Sequence, residues 1–159
     1  MAQSPLCAVL ALLTLGGCAT EPSQRPQPAF YADLAQPGSA LDPKTATEII
    51  NAYRERSGLA PLGWDPALQQ QAEAEARRLA ERGDLLETGA RDGLAAAQGL
   101  RRSVSGGYHS FADAFSGWRG SPAHDAVLKL KDGRRYAIAA IARPASRHRV
   151  YWVMLVSTR

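Results

Sequence analysis

The sequence has 159 residues, of which 45% are hydrophobic and 21% are charged, and this is the composition of one globular domain. The formal net charge of +4 is modest, and basic and acidic residues alternate along the chain without a long basic run. These features argue against nucleic acid as a partner.

An uncharged segment opens the chain. Residues 1–17 carry no charged side chain, and their apolar run is too short to span a membrane but typical of a signal peptide. Leu15-Gly16-Gly17-Cys18 resembles a bacterial lipobox, in which small residues precede the cysteine that receives a lipid. We therefore expect residues 1–17 to be a lipoprotein signal peptide and Cys18 to be lipidated. The alternative is ordinary signal cleavage after Ala19, which would give a secreted protein.

A proline-rich stretch follows the predicted lipidation site. The composition of residues 18–40 predicts an extended tether, in which residues 29–35 could dock on the domain. Cys7 lies within the predicted signal peptide, so the mature chain would hold Cys18 alone and no intramolecular disulfide. We expect residues 41–159 to form the folded domain. Its location would be the cell envelope, on the periplasmic side of the outer membrane in a Gram-negative organism.

Two helices are predicted in the first half of the domain. Asp42 and Asp65 are each followed by proline. An aspartate side chain can cap the first N–H groups of a helix, and proline, which lacks an N–H, is well tolerated at the first helical position. Apolar residues at helical spacing follow each start, and Gly58 and Gly83 mark the two ends.

Two shorter helices are predicted after residues 84–109, a glycine-rich stretch that we expect to be irregular. Ser110 and Asp113 have the spacing of a capping box, with Asp in place of the usual Glu or Gln. The helix that they open would carry an aromatic stripe toward the core. Ser121, which also precedes a proline, is predicted to cap the last helix.

Two strands are predicted in the C-terminal part. Residues 134–144 and 149–157 are apolar, β-branched or aromatic, and breakers bound them. Both faces of the second strand are apolar, so we expect it to be covered on both sides. Residues 131–134 are predicted to form a hairpin turn. Helices followed by an antiparallel sheet predict an α+β domain with helices on both sheet faces. We expect all three tryptophans in its core, namely Trp64, Trp118 and Trp152.

Two stretches carry a resemblance to a known family. They are IINAYRERSGLAPLGWDPALQQQAEAEARRLAERGDL and FADAFSGWRGSPAHDAVL, followed by the C-terminal strands. They resemble the bacterial, cysteine-poor branch of the CAP superfamily, which includes cysteine-rich secretory proteins, antigen 5 and plant pathogenesis-related proteins. The resemblance covers residues 45 to 157 and implies a three-layer α-β-α sandwich.

The resemblance also implies a cleft in which two histidines and two acidic residues bind a divalent metal such as zinc. His124, in Ser-Pro-Ala-His, matches the second histidine. Glu87 stands where the first histidine is expected, and Gln98 stands where a glutamate is expected. No acid follows Trp118, where the remaining ligand is expected. The metal site is therefore degenerate, and we expect no cofactor, with zinc on His124 as the alternative.

His124 lies on the first turn of its predicted helix, where the helix dipole disfavours a charged imidazole. A neutral imidazole can bind zinc or accept a hydrogen bond. Three roles stay open for it. They are a hydrogen bond within the cleft to Gln98 or Ser121, contact with a non-metal ligand, and a weak metal site shared with Glu87.

We expect a non-enzymatic binding or interaction module with a cleft at His124, Glu87, Gln98 and Ser121. Its partners would be the membrane, through the lipid, and a small apolar ligand or another envelope protein, and we expect a monomer. The alternative is a hydrolase or metal-dependent enzyme acting on peptide or cell-wall material, with His124 as its base. The sequence has no Gly-x-Ser-x-Gly and no His-Glu-x-x-His motif, which favours the binding module.

Overall fold

The computed structural model describes residues 27–85 and 99–159. Its helices are α1 (Pro43–Arg56), α2 (Pro66–Arg82), α3 (Phe111–Gly120) and α4 (Pro122–Leu128), preceded by a 3-10 turn at Ala29–Tyr31. Its strands are β1 (Gly63–Trp64), β2 (Leu100–Gly106), β3 (Arg135–Arg143) and β4 (Arg149–Ser157). They form one sheet in the order β1-β3-β4-β2, in which β1 is parallel to β3 and the other pairs are antiparallel.

Helices α1 and α2 begin at the predicted caps. The carboxylate of Asp42 accepts hydrogen bonds from the backbone N–H groups two and three residues further on. Asp65 does the same at the start of α2. Helix α2 ends at Gly83, whose φ of 77° is a left-handed conformation that glycine adopts without steric cost. These predictions are confirmed. They could be made from the sequence because a cap depends only on neighbouring residues.

The starts of α3 and α4 differ. The hydroxyl of Ser110 accepts from the N–H of Asp113 at 3.2 Å, which confirms Ser110 as the N-cap, and it donates to the carboxylate of Asp113 at 2.7 Å. Ser121 stands at the N-cap position of α4, but its side chain makes no capping hydrogen bond. The prediction that Ser121 caps this helix is therefore wrong for its side chain, and Pro122 at the first helical position marks the start.

The sheet separates two helical layers. Helices α1, α3 and α4 pack on one face, against Trp152 and Met154. On the other face, the described part of the chain provides α2, whose Ala72 and Ala76 pack against Val153. Strand β4 lies between two other strands and is buried on both faces, as predicted from its two apolar sides. The fold is an α+β, three-layer α-β-α sandwich.

Two of the three tryptophans lie at the centre of the core. Trp118 and Trp152 are fully buried and meet edge to face, with ring centroids 5.8 Å apart. Trp64 is 44% exposed, so its predicted place in the core is wrong. It belongs to a two-residue edge strand, and its ring N–H donates to the side chain of Gln69 at 3.3 Å.

The stretch predicted to be irregular contains strand β2. Seven residues of β2 pair antiparallel with β4, from Leu100 opposite Ser157 to Gly106 opposite Tyr151. The segment has few apolar residues, so its own sequence gives a weak strand signal. Pairing with the buried β4 supplies the stabilisation that the local sequence lacks.

The hairpin turn lies elsewhere than predicted. Residues 144–148 connect β3 to β4, so residues 131–134 do not form the turn of the hairpin. They link α4 to β3, where the N–H of Gly133 donates to the carbonyl of Leu130 at 3.1 Å. The turn signal at residues 131–134 was therefore a local one, and it could not show which elements it joins.

Packing extends toward the N-terminus beyond residue 41. Leu34 and Ala35 are buried in the core on the α1 side of the sheet. The N–H of Leu34 donates to the carbonyl of His109 at 2.7 Å, which holds this segment on the domain. Among residues 27–85 and 99–159, no helix combines the length and the apolarity needed to cross a membrane.

Candidate functional site

The candidate site lies where α4 packs against β2. His124 shares one side of α4 with Val127 and Leu128, because residues three and four apart lie on the same side of a helix. Val127 and Leu128 are buried, so this side faces the interior, and His124 is half-buried at its N-terminal end.

The imidazole of His124 has hydrogen-bonding capacity that the described chain does not use. Burial lowers the pKa of His124, which keeps the ring neutral at neutral pH, with one donor and one acceptor nitrogen. Within the described residues it makes no hydrogen bond, so the bond predicted to Ser121 is not formed. Gln98, the other predicted partner, lies outside the described residues.

Two buried serines on β2 face the same helical layer as α4. Ser103 and Ser105 stand opposite Met154 and Trp152 of β4, on the sheet face that α3 and α4 cover. The hydroxyl of Ser105 accepts a hydrogen bond from the ring N–H of Trp118 at 2.9 Å. The hydroxyl of Ser103, which is 1% exposed, has no hydrogen-bond partner in the described part of the chain.

The roles of the two serines could hardly be predicted from the sequence. They alternate with Arg102 and Val104 in a segment whose strand was not predicted. Alternation alone would have placed both serines on one face of a strand. It could not have shown that this face is the buried one.

A second polar group on α4 is fully engaged in holding the helices together. Asp125 accepts from the hydroxyl of Tyr53 at 2.7 Å and from the ammonium of Lys129 at 2.9 Å. Burial alone would raise the pKa of Asp125, but the hydrogen bonds from Lys129 and Tyr53 hold it below its ordinary value. This carboxylate therefore links α4 to α1, and its oxygens are already bonded.

The metal hypothesis is tested by the donors around His124. In the described ranges, no three His, Cys, Asp or Glu side chains gather where they could hold a metal ion. Asp125, the carboxylate next to His124 in the sequence, is already bonded to Tyr53 and Lys129. Zinc needs three or four N, O or S ligands, so His124 with its described neighbours does not fit such a site. Glu87, Gln98 and Cys18 lie outside the described residues.

The family assignment rests on the whole domain. A sequence model of the cysteine-rich secretory protein family, CAP, matches residues 47–155, which is more than half of the chain and runs from α1 to β4. The chain belongs to the CAP family. The matched residues include both His124 and Ser103, so the candidate site lies within the CAP domain. No curated protein matches the sequence significantly.

Solved structures of bacterial proteins share this fold. An outer surface protein of Borrelia burgdorferi is 20% identical with a TM-score of 0.59, over 76% of this chain and 97% of its own. An extracellular SCP-domain protein of Bacillus anthracis is 14% identical with a TM-score of 0.58, over 73% of this chain. A cysteine-rich secretory protein of Staphylococcus aureus is 16% identical with a TM-score of 0.57, also over 73%. The matches cover only 40% and 38% of the last two proteins.

Proposed function

We propose that this CAP-family protein is a non-enzymatic binding module of the cell envelope, and that its ligand lies between α4 and β2. The observation that carries the proposal is the buried Ser103 hydroxyl, to which no residue in 27–85 or 99–159 bonds. Leaving a buried hydroxyl unsatisfied costs about 1–3 kcal/mol, and folded proteins keep few such groups. A ligand oxygen or nitrogen at Ser103 would remove this cost.

The neighbouring groups indicate what kind of ligand would fit. The half-buried, neutral His124 adds a donor and an acceptor nitrogen that no described residue uses. Most other side chains on this side of the sheet are apolar, including Met154, Val127 and Leu128. An uncharged, mainly apolar small molecule with one or two polar atoms matches this combination.

We also propose that the module is held in the envelope by a lipid on Cys18. The lipobox-like sequence before Cys18 supports this, because it accounts for an otherwise lone cysteine in an exported chain. The names of the similar solved proteins place those proteins outside the cytoplasm. Metabolic labelling with a fatty acid tests the anchor: label should enter the wild-type protein and be absent from Cys18→Ala. Equal labelling of both proteins would contradict it.

Native mass spectrometry of the full chain, purified gently from its host membranes, tests the binding site. We expect an organic adduct on the wild-type protein that is lost in Ser103→Ala and weakened in His124→Ala. His109→Ala removes a histidine outside the site and is the control that should keep the adduct. An adduct that survives in all three variants, or no adduct on any protein, would contradict the proposed site. A zinc-sized adduct lost only in His124→Ala would restore the metal site.

A hydrolase acting on peptide or cell-wall material is the second candidate, and the neutral His124 favours it because a general base must be unprotonated. If this candidate is right, the wild-type protein releases products from cell-wall fragments or peptides, and His124→Gln abolishes this release. Unchanged fragments after incubation with the wild-type protein would leave the binding module as the function.

A further inference from the structure

The outer edge of β3 is only partly paired. Strand β1 pairs with β3 at Arg135 and Tyr136, yet β3 continues to Arg143. Its other edge is paired with β4 along its whole length. Beyond Tyr136, no strand of the described chain pairs with the outer edge.

The outward-facing backbone groups of β3 belong to alternate residues. The N–H of Asp65 donates to the carbonyl of Tyr136 at 3.0 Å from the β1 side. Two residues further on, Ile138 also bonds outward, to the side chain of Gln69. Because outward groups recur every second residue, those of Ala140 and Ala142 come next. On this side, neither the N–H nor the carbonyl of either alanine bonds to a described residue.

Gln69 shows what chemistry this edge accepts. Its side-chain amide donates to the carbonyl of Ile138 at 3.0 Å and accepts from its N–H at 3.3 Å. One amide thus takes the place of a peptide group in a missing neighbouring strand. A polypeptide backbone would supply the same donor and acceptor pair again at Ala140 and Ala142, since its groups repeat every second residue.

A groove of about 280 Å³ runs along the edge from Ile138 to Ile141, so it includes Ala140 and ends next to Ala142. Residues 39–41 form one wall, and Glu73 and Arg77 of α2 form the other. The small side chains of Ala140 in the groove and of the exposed Ala142 beside it leave the approach to the backbone open. A strand needs to come within about 4.8 Å of β3 to pair with it, and small side chains permit that distance.

We propose that the outer edge of β3 at Ala140 and Ala142 binds a short extended peptide of a partner protein by adding it as a strand to the sheet. Apolar Leu41 lines one wall, and the mutually paired Glu73 and Arg77 line the other. Successive side chains of a strand point to opposite faces, so the matching peptide alternates apolar and polar residues. This site is separate from His124 and independent of the ligand proposed there.

A second copy of this chain fits the edge less well than a peptide. The unpaired part from Ile138 to Arg143 is roughly 17 Å long at about 3.3 Å per residue. Two such edges would bury far less than the roughly 1,200 Å² of a specific interface. The walls of the groove also restrict the approach of another folded sheet, whereas a single strand enters between them.

The test uses the full-length protein labelled with ¹⁵N and linear peptides selected on it from a random phage-displayed library. We expect a selected peptide to slow amide hydrogen exchange at Ala140 and Ala142 at least about tenfold, as strand pairing would. The same peptide with N-methyl groups on alternate residues keeps its side chains but should not bind. Protection of other residues instead, or a library that yields no binding peptide, would overturn the proposal.

Variants at Ala142 provide the matched comparison. Ala142→Pro removes the outward N–H but no hydrogen bond to β4, and proline is tolerated on an edge strand. We expect it to weaken peptide binding about tenfold, the effect of losing one hydrogen bond at the interface. Ala142→Ser keeps the N–H and should bind like the wild type. Equal binding by both variants would overturn the proposal, as would protection of Ala140 and Ala142 by self-association without peptide.

Discussion

Two sets of buried or half-buried polar side chains in this domain differ in how their hydrogen bonds are satisfied. On α1, Asn51 donates to the carbonyl of Leu62 at 3.0 Å and accepts from its N–H at 2.8 Å. Arg54 is fully buried and donates to three backbone carbonyls at 2.7–3.1 Å, those of Ala60, Leu128 and Leu130. On β2 and α4, the Ser103 hydroxyl and the His124 imidazole bond to no described residue.

The difference separates structural from recognition groups. Asn51 and Arg54 fasten the segment before β1 and the segment after α4 to one helix, although one guanidinium nitrogen of Arg54 bonds to no described residue. Their bonds within the chain account for the position of both side chains. Ser103 is fully buried and His124 is half-buried, and neither bonds to a described residue. An external ligand would supply the missing hydrogen-bond partners. A buried polar side chain thus points to a ligand only when the chain leaves it unsatisfied.

The largest expected effect follows from removing the α1 anchor. Arg54→Met keeps an apolar stem but leaves three partly or fully buried carbonyl oxygens without donors. We expect the free energy of unfolding to fall by about 3 kcal/mol or more, measured by urea denaturation. Arg56→Met, on the exposed side of the same helix, should change it by less than about 0.5 kcal/mol. A loss no larger than that of the control would show that Arg54 does not anchor the neighbouring segments to α1.

The two serines of β2 allow a comparison within one strand. Ser105→Ala should lower the free energy of unfolding by about 1–2 kcal/mol, because the ring N–H of Trp118 loses its acceptor. Ser103→Ala removes a hydroxyl that bonds to no described residue, so the stability of the ligand-free protein should be unchanged or slightly higher. Both values come from thermal unfolding monitored by circular dichroism. Equal losses in the two variants would mean that Ser103 is satisfied in the folded protein.

The smallest expected effect is the pH dependence caused by His124. Burial places the pKa of His124 in the folded protein below that of the unfolded chain, so the unfolded state takes up the proton first. Stability should therefore fall as the pH drops through and below about 6.5, the ordinary pKa of histidine. His124→Gln, which cannot be protonated, should lose less stability between pH 7 and 5 in urea denaturation, with His148→Gln as the control. Identical pH profiles for wild type and His124→Gln would contradict a buried, neutral His124. Carboxylates with lowered pKa values contribute only below about pH 4.5.

The features predictable from the sequence are those that neighbouring residues determine. Asp42, Asp65 and Ser110 cap their helices through bonds to residues two or three positions away, and each was recognisable in the sequence. The burial of both faces of β4 was predictable because side chains alternate between the two faces of a strand and both sets are apolar. Strand β2 was not, because its stability comes from pairing with β4 rather than from its own composition. Trp64 was misplaced because exposure depends on β1 lying at the edge of the sheet.

The candidate site was predictable only in part for the same reason. The Ser-Pro-Ala-His stretch placed His124 near a helix start, and that is where it lies. What faces it depends on how α4 crosses β2, a contact between residues distant in sequence. Neither the unsatisfied Ser103 hydroxyl nor the buried Arg54 carries a local signal, since serine and arginine are usually exposed.

The edge-to-face contact between Trp118 and Trp152 gives the protein a spectroscopic property. Two indole rings held rigidly at 5.8 Å and 85° lie close enough for their electronic transitions to couple. Each ring N–H is fixed by a hydrogen bond, to Ser105 and to the carbonyl of Tyr108. The near-ultraviolet circular dichroism of the pair therefore reports how α3 sits on the sheet. The exposed Trp64 contributes to the fluorescence emission from a different, aqueous environment.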